Sequence, residues 1–403
     1  MILVAKKDCI LFRYILLALS LFFLTTTSFA GTREQARRIH DRLAGVPPDQ
    51  TVLDQMTADL DAGLTIEHIR AAAYRAMENN SFYNVTLKNF ITPWTNEAQT
   101  RFAPLNDYTA TVIGMVRDSD TDSIDFREIL YGDILYVADN AYGLPAYSMS
   151  NNNHYETLEA QGHNLKTALV RTTQSAMTNL PADATAGVMT TRAAAEAFFI
   201  AGTNRAMYRF TMLNHLCVDL EQIKDNSLST DRIRQDVTRS PGGDSRIYLN
   251  SCSGCHTGME PLTQAFAYYD WNESTASLEY NAAGTIDPDS NSRVQGKYLI
   301  NANNFPNGYV TQNDRWDNYW REGINSLLGW DSALPGYGNG AKSMGMELAH
   351  SSAFARCQVK KVFQAVCLKT PTSTQIDQLE AVFEVDYNIK NIFASTVQYC
   401  MGH

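Results

Sequence analysis

The residues best placed to do chemistry are Cys252-Ser253-Gly254-Cys255-His256, a C-x-x-C-H run. Two cysteines three positions apart can bond from one turn to the two vinyl groups of a single haem. The residue that follows projects its imidazole at the iron. The run therefore predicts one covalently attached haem c, with Cys252 and Cys255 as the thioether cysteines and His256 as the proximal iron ligand. Two other uses of such a pair fit less well. A redox dithiol belongs at a helix start in a βαβ context, which is not recognisable here. A zinc site needs two further ligands, and no second C-x-x-C or H-x-x-x-H occurs.

The second axial position is open in the sequence. Met259 follows His256 too closely to cross the haem plane. Met344 and Met346, within Gly338-Asn339-Gly340-Ala341-Lys342-Ser343-Met344-Gly345-Met346, read as a flexible segment just before a helix and are the distal candidates. Met189, Met207, Met212, His215 and His350 are also available, and any of these methionines can equally be core filler. A vacant sixth position would point to catalysis rather than to electron transfer.

The elements that must hold this site begin after an export leader. Lys6, Lys7 and Arg13 precede an apolar run from about Ile15 to Leu24, and Ser28 and Ala30 are the small residues a signal peptidase needs. The run is shorter than the roughly 20 residues that span a bilayer. Residues 1–30 are therefore expected to be a cleaved signal peptide, with no membrane span afterwards, and the mature chain to be periplasmic or extracellular in a bacterium. Without the leader, 30 basic residues face 42 acidic ones, a net charge of about −12. That excludes nucleic acid as a natural partner and suits a basic redox partner protein.

The chain reads as mainly α and multi-helical, a cytochrome c-like haem region embedded in a larger helical protein with long loops. An N-terminal helical module (31–95) has helices over Thr32–Leu43, Val52–Leu60 and Thr65–Met77. A loop-rich middle region (96–185) carries a helix-like stretch, Phe126–Val137, and room for a small hairpin. Asp118, Asp120, Asp122 and Asp125 are spaced like calcium ligands, but Ser123 and Ile129 replace the Gly and Glu of an EF-hand loop. An acidic loop is the simpler reading. The haem-binding region (186–290) opens with Thr191 capping Arg192–Ala201, followed by a helix over Arg205–Cys217. The aromatics Phe266, Tyr268, Tyr269 and Trp271, with Trp316, Tyr319 and Trp320 beyond, read as core packed near the haem edge.

A C-terminal helical region (291–403) places Ala353–Cys367 in one helix. Cys357 and Cys367 would then lie about 15 Å apart along it, beyond disulfide reach. Their partners must come from Cys217 and Cys400. A break at Thr370–Ser373 and a helical hairpin turning near Asp386 return Cys400 towards Cys367. The expected pairs are Cys217–Cys357 and Cys367–Cys400. The crossed pairing and free thiols are the alternatives.

Cys252-Ser-Gly-Cys-His-Thr-Gly-Met-Glu-Pro-Leu262 followed by Ala265-Phe266-Ala267-Tyr268-Tyr269-Asp270 resembles the planctomycete-type cytochrome c-like proteins, multi-module proteins with a single haem motif. Glu260 stands where that family has Asp, and Thr263-Gln264 where Gly is common. Ala349-His-Ser-Ser-Ala-Phe-Ala-Arg-Cys357 is similar to the start of its C-terminal helix, and Ala36 to Pro48 more loosely resembles an N-terminal module. The resemblance implies a largely helical, secreted, haem-bearing protein, and supplies neither a distal ligand nor a substrate. The function expected first is electron transfer by a monohaem c-type cytochrome. The alternatives are a haem enzyme of peroxidase or oxidase type with an open distal site, and a secreted binding or assembly protein with structural haem.

Overall fold

The computed structural model describes residues 31–402 except 121, 123 and 201. The expected leader lies outside the described residues. Three helices open the chain: α1 (Thr32–Ala44), α2 (Gln50–Asp61) and α3 (Ile66–Met77). The period-3.6 pattern of α1 buries Ala36, Ile39 and Leu43, and Gly45 stops the helix in the left-handed conformation at φ 72°. Asp49 caps α2 by accepting from Val52 N at 2.8 Å. All three helices fall within two residues of their expected limits.

The middle region departs from expectation at Phe126–Val137. Only Phe126–Leu130 is helical, as a 3-10 turn, and Leu135–Ala138 is strand β1. Gly132 N donates to Glu128 O at 2.7 Å and ends the helical turn. The short apolar run Ile134-Leu135-Tyr136-Val137 is then a buried strand packed on the long helix α4 (Asp107–Asp118). β1 pairs antiparallel with β2 (Leu169–Thr172), Leu135 opposite Thr172. The two strands are the distant ends of one long excursion rather than a small hairpin.

Helix α5 (Arg192–Phe198) starts at Thr191, whose side chain accepts from Ala194 N. Helix α6 (Arg205–Thr211) runs on through a π-helical turn, Met212–Leu216, to Cys217 at φ 57°. The motif helix α7 (Ser253–Thr263) is followed by a tight hairpin of β3 (Tyr269–Asn272) and β4 (Ser277–Tyr280). A third two-stranded antiparallel sheet joins β5 (Arg315–Asp317) to β6 (Tyr337–Asn339). The chain closes with α8 (Gly340–Ala349), α9 (Ser352–Cys367), α10 (Ser373–Phe383) and α11 (Ile389–Thr396). Among the described residues the fold is mainly helical, with strands confined to these three small sheets. No described helix is long and apolar enough to cross a membrane.

One contiguous apolar core takes in residues from Ala36 to Met401 and draws on all four segments expected after the leader. The boundaries near 95, 185 and 290 therefore fall within a shared core. The N-terminal helices meet the C-terminal ones: Gln35 Nε2 donates to Gly402 O at 2.7 Å, and Arg70 Nε to Ser395 Oγ at 2.9 Å. The two expected disulfides are formed. Cys217 and Cys357 stand with Cα atoms 5.2 Å apart, and Cys367 and Cys400 with theirs 5.4 Å apart. Such bonds belong to an oxidising compartment rather than to a reducing cytosol. The acidic run is held by ion pairs: Asp118 with Arg117, Asp120 with Lys390 at 3.0 Å, and Asp125 with Arg127 at 2.6 Å. Among the described residues no three His, Cys, Asp or Glu side chains converge as metal ligands.

Candidate functional site

Asp244 opens the motif segment by accepting from Arg246 N at 2.9 Å, and a one-turn helix, a π-helical turn (Tyr248–Cys252) and α7 follow without a break. Residues three and four apart share a helical face. Cys252, Cys255 and His256 accordingly lie on one side, each partly exposed, while Ser253, Gly254, Thr257, Gly258, Met259 and Glu260 are buried. Both motif cysteines are unpaired.

The buried side of α7 is clamped from two directions. Asp225 N donates to Gly254 O, and Thr257 Oγ1 donates to Asp225 O, both at 2.8 Å. One edge of the Trp320 indole lies against Gly258, so close that a Cβ there would stand 1.9 Å from Trp320 Nε1. Gly258→Ala is expected to cost about 1–3 kcal/mol by overpacking, read as a lower urea midpoint. An unchanged midpoint would disprove this contact.

His256 is governed by Glu260, one helical turn on. His256 Nδ1 and Glu260 Oε1 are 2.6 Å apart, and Arg205 Nε donates to the same oxygen at 2.7 Å. Arg205 also grips Asp236 with both terminal nitrogens, at 2.7 and 2.9 Å. Burial would raise the Glu260 carboxyl, yet the Arg205 guanidinium and the His256 contact hold it down at about 2. An ionised carboxylate only accepts, so the proton of a neutral His256 sits on Nδ1. Nε2 then keeps its lone pair, faces the partly exposed side and has no hydrogen-bond partner among the described residues. Glu260 Oε2 is buried and likewise without a partner.

Burial pushes the Cys255 thiol up, and the Glu221 carboxylate adds to the effect. The thiol lies 3.5 Å from Leu220 O. This is not the lowered thiol of a redox dithiol. Several apolar side chains of the chain are unusually exposed. Leu249 is 59% exposed, and Ile324 and Leu327 are 62% and 91% exposed. The last two follow Gly323, which lies against the Asp225 carboxylate.

The structure does not bring Met344 or Met346 to this face. Both lie inside helix α8 rather than in a flexible segment before it, and Met344 is fully buried. The cause is Gly340, at φ 73° directly after β6, which lets the helix begin four residues before Met344. Trp316 and Trp320 stand between α8 and α7: Trp316 Nε1 donates to Ser343 Oγ at 2.8 Å on one side, and Trp320 meets Gly258 on the other. At about 100° per residue, Gly258 is roughly opposite His256, so α8 lies behind the motif helix. Met189, Met207, Met212 and Met259 are core residues. His350 Nδ1 donates to Met346 O at 2.8 Å at the end of α8. His215 is sealed between Trp94 and Tyr108, with the Tyr108 hydroxyl 2.8 Å from its Nε2.

The sequence reading missed the role of Glu260. The available signal was a carboxylate four residues after a ligating histidine on one helix, with an arginine on a neighbouring helix to hold its charge. No protein-family model, no curated protein and no solved structure matches the chain.

Proposed function

We propose that the chain is an exported monohaem c-type cytochrome-like protein, whose haem c is bound through Cys252 and Cys255 and ligated by His256, and that it serves electron transfer. The observation that carries this is the shared face: two unpaired thiols one turn apart beside an imidazole whose outward nitrogen holds a free lone pair. The side chains fit the group. The thiols share one helical face one turn apart, Glu260 fixes the histidine tautomer, and exposed Leu249, one turn before Cys252, offers apolar surface for a macrocycle rim. A bound haem supplies a one-electron couple. The protein's part is to hold Nε2 on axis and to keep water from the buried side of α7. The net charge of about −12 without the leader favours a basic redox partner protein in the periplasm or outside the cell.

A second reading, a haem enzyme of peroxidase or oxidase type, is favoured by one observation. Met344 and Met346 lie within helix α8 and not in a flexible segment, and His215 is sealed in the core, an arrangement that favours an open sixth position. Full-length protein exported from a haem-attaching host is expected to show covalent haem staining on a denaturing gel, and C252A/C255A to show none. Unstained wild-type protein would overturn both readings. A weak band near roughly 695 nm in the oxidised spectrum marks methionine ligation and a carrier. A high-spin spectrum with peroxide turnover marks the enzyme.

A further inference from the structure

The side chains behind His256 form a charged chain that haem attachment alone does not require. Glu260 Oε1 is shared between His256 Nδ1 and Arg205 Nε, and Arg205 is in turn clamped by Asp236. Arg234 Nε donates to Asp236 Oδ1 at 3.2 Å, and its Nη2 donates to Tyr298 O at 2.5 Å. Gln264 Nε2 donates to the Glu260 carbonyl at 3.0 Å, fixing the backbone that carries the carboxylate. A histidine needing only orientation could donate Nδ1–H to a neutral backbone carbonyl. Here the acceptor is a buried carboxyl oxygen already gripped by Arg205, and the second oxygen of that group has no hydrogen-bond partner among the described residues.

We infer that Glu260 is a positioning residue that sets the iron's redox poise, making His256 a more electron-rich ligand through a short Nδ1–H to carboxylate bond and so favouring the ferric state. The inference rests on the haem reading above. A carboxylate accepting from Nδ1–H raises the donor strength of Nε2, and a more basic axial ligand stabilises the higher charge on the metal. Low local dielectric strengthens the effect, since little water competes for the carboxylate. Arg205 and Asp236 keep the anion in place. They act on the iron only through Glu260 and His256.

The test is the midpoint potential of the full-length holoprotein by spectroelectrochemical titration, for wild type, Glu260→Gln and Glu260→Asp. Glu260→Gln is expected to shift the ferric-to-ferrous balance at least tenfold towards ferrous, a rise of 59 mV or more for one electron. Glu260→Asp, with the charge kept at shorter reach, is expected to fall between. Because Glu260→Gln leaves the Arg205 charge short of a partner, E260Q/R205Q is measured beside it, with the same upward shift expected. A readout needing no variant is 15N NMR of His256 in the haem-free full chain. The Nδ1-protonated tautomer is expected, and a dominant Nε2-protonated form overturns the inference. Variants with wild-type haem content and an unchanged potential also overturn it while leaving haem attachment intact. Absence of covalent haem from wild-type protein defeats the haem reading instead.

Discussion

Replacing both Cys217 and Cys357 with alanine is expected to lower the unfolding free energy by about 5 kcal/mol, the largest effect of any change proposed for this chain. The bond closes a loop across 140 positions, against 33 for Cys367–Cys400. Loop-closure entropy in the unfolded chain grows with the logarithm of that length, giving about 5 kcal/mol for the first bond and about 4 for the second. The native surroundings favour the same order. Cys217 ends the π-helical turn after α6, and Cys357 lies buried in α9. Gln358 Nε2 donates to His215 O at 3.2 Å and Lys361 Nζ to Asn214 O at 2.6 Å, so the bond pins a seam that is already hydrogen-bonded. Urea denaturation of C217A/C357A and C367A/C400A decides the matter, and a larger loss from the second pair would refute the ordering.

Acid is expected to weaken the fold through His215 well before carboxylates titrate. This imidazole is 1% exposed, with Nδ1 unpartnered, and burial followed by the nearby Lys361 charge holds its pKa well below 6.5. In the unfolded chain it takes a proton near pH 6.5. Below that pH the unfolded state binds a proton the folded state refuses, so stability falls as pH falls, by about 1.4 kcal/mol per unit until the depressed folded pKa is reached. The loss attributable to this group sets in as the pH falls through 6.5 and stops growing once the depressed folded pKa is reached. His215→Gln keeps a polar partner for Tyr108 and is expected to flatten that part of the stability profile. A profile of unchanged slope in His215→Gln would show that the group is not responsible.

Much of this was legible in the residues because the signals were local. The amphipathic period and caps of 32–77 fix three helices within two residues, and the length of one helix excludes a Cys357–Cys367 bond. The failures share one cause, a short segment read without its tertiary neighbours. Phe126–Val137 is apolar enough for a helix, and only the packing of Tyr136 against Gly114 of α4 makes its second half a strand. Gly338–Met346 is rich in glycine and looked mobile. Its glycines instead serve contact: Gly338 meets Ser343 and Trp316, and Gly345 meets Leu130 O. At the motif, the expectation of a haem rests on spacing alone. The arginine that fixes the charge of Glu260 lies 55 positions away, a relation that no local pattern encodes.

The meeting of the two chain ends has a kinetic side. The contacts Arg70–Ser395 and Gln35–Gly402 span 325 and 367 positions. A ribosome or translocon delivers the first three helices long before the helices that cover them. The face of α3 that packs on α11 would stay uncovered until then, and contacts of such sequence separation form slowly because a long loop must close first. Completion of the core is therefore a late event, and the chain passes through an interval as an open intermediate.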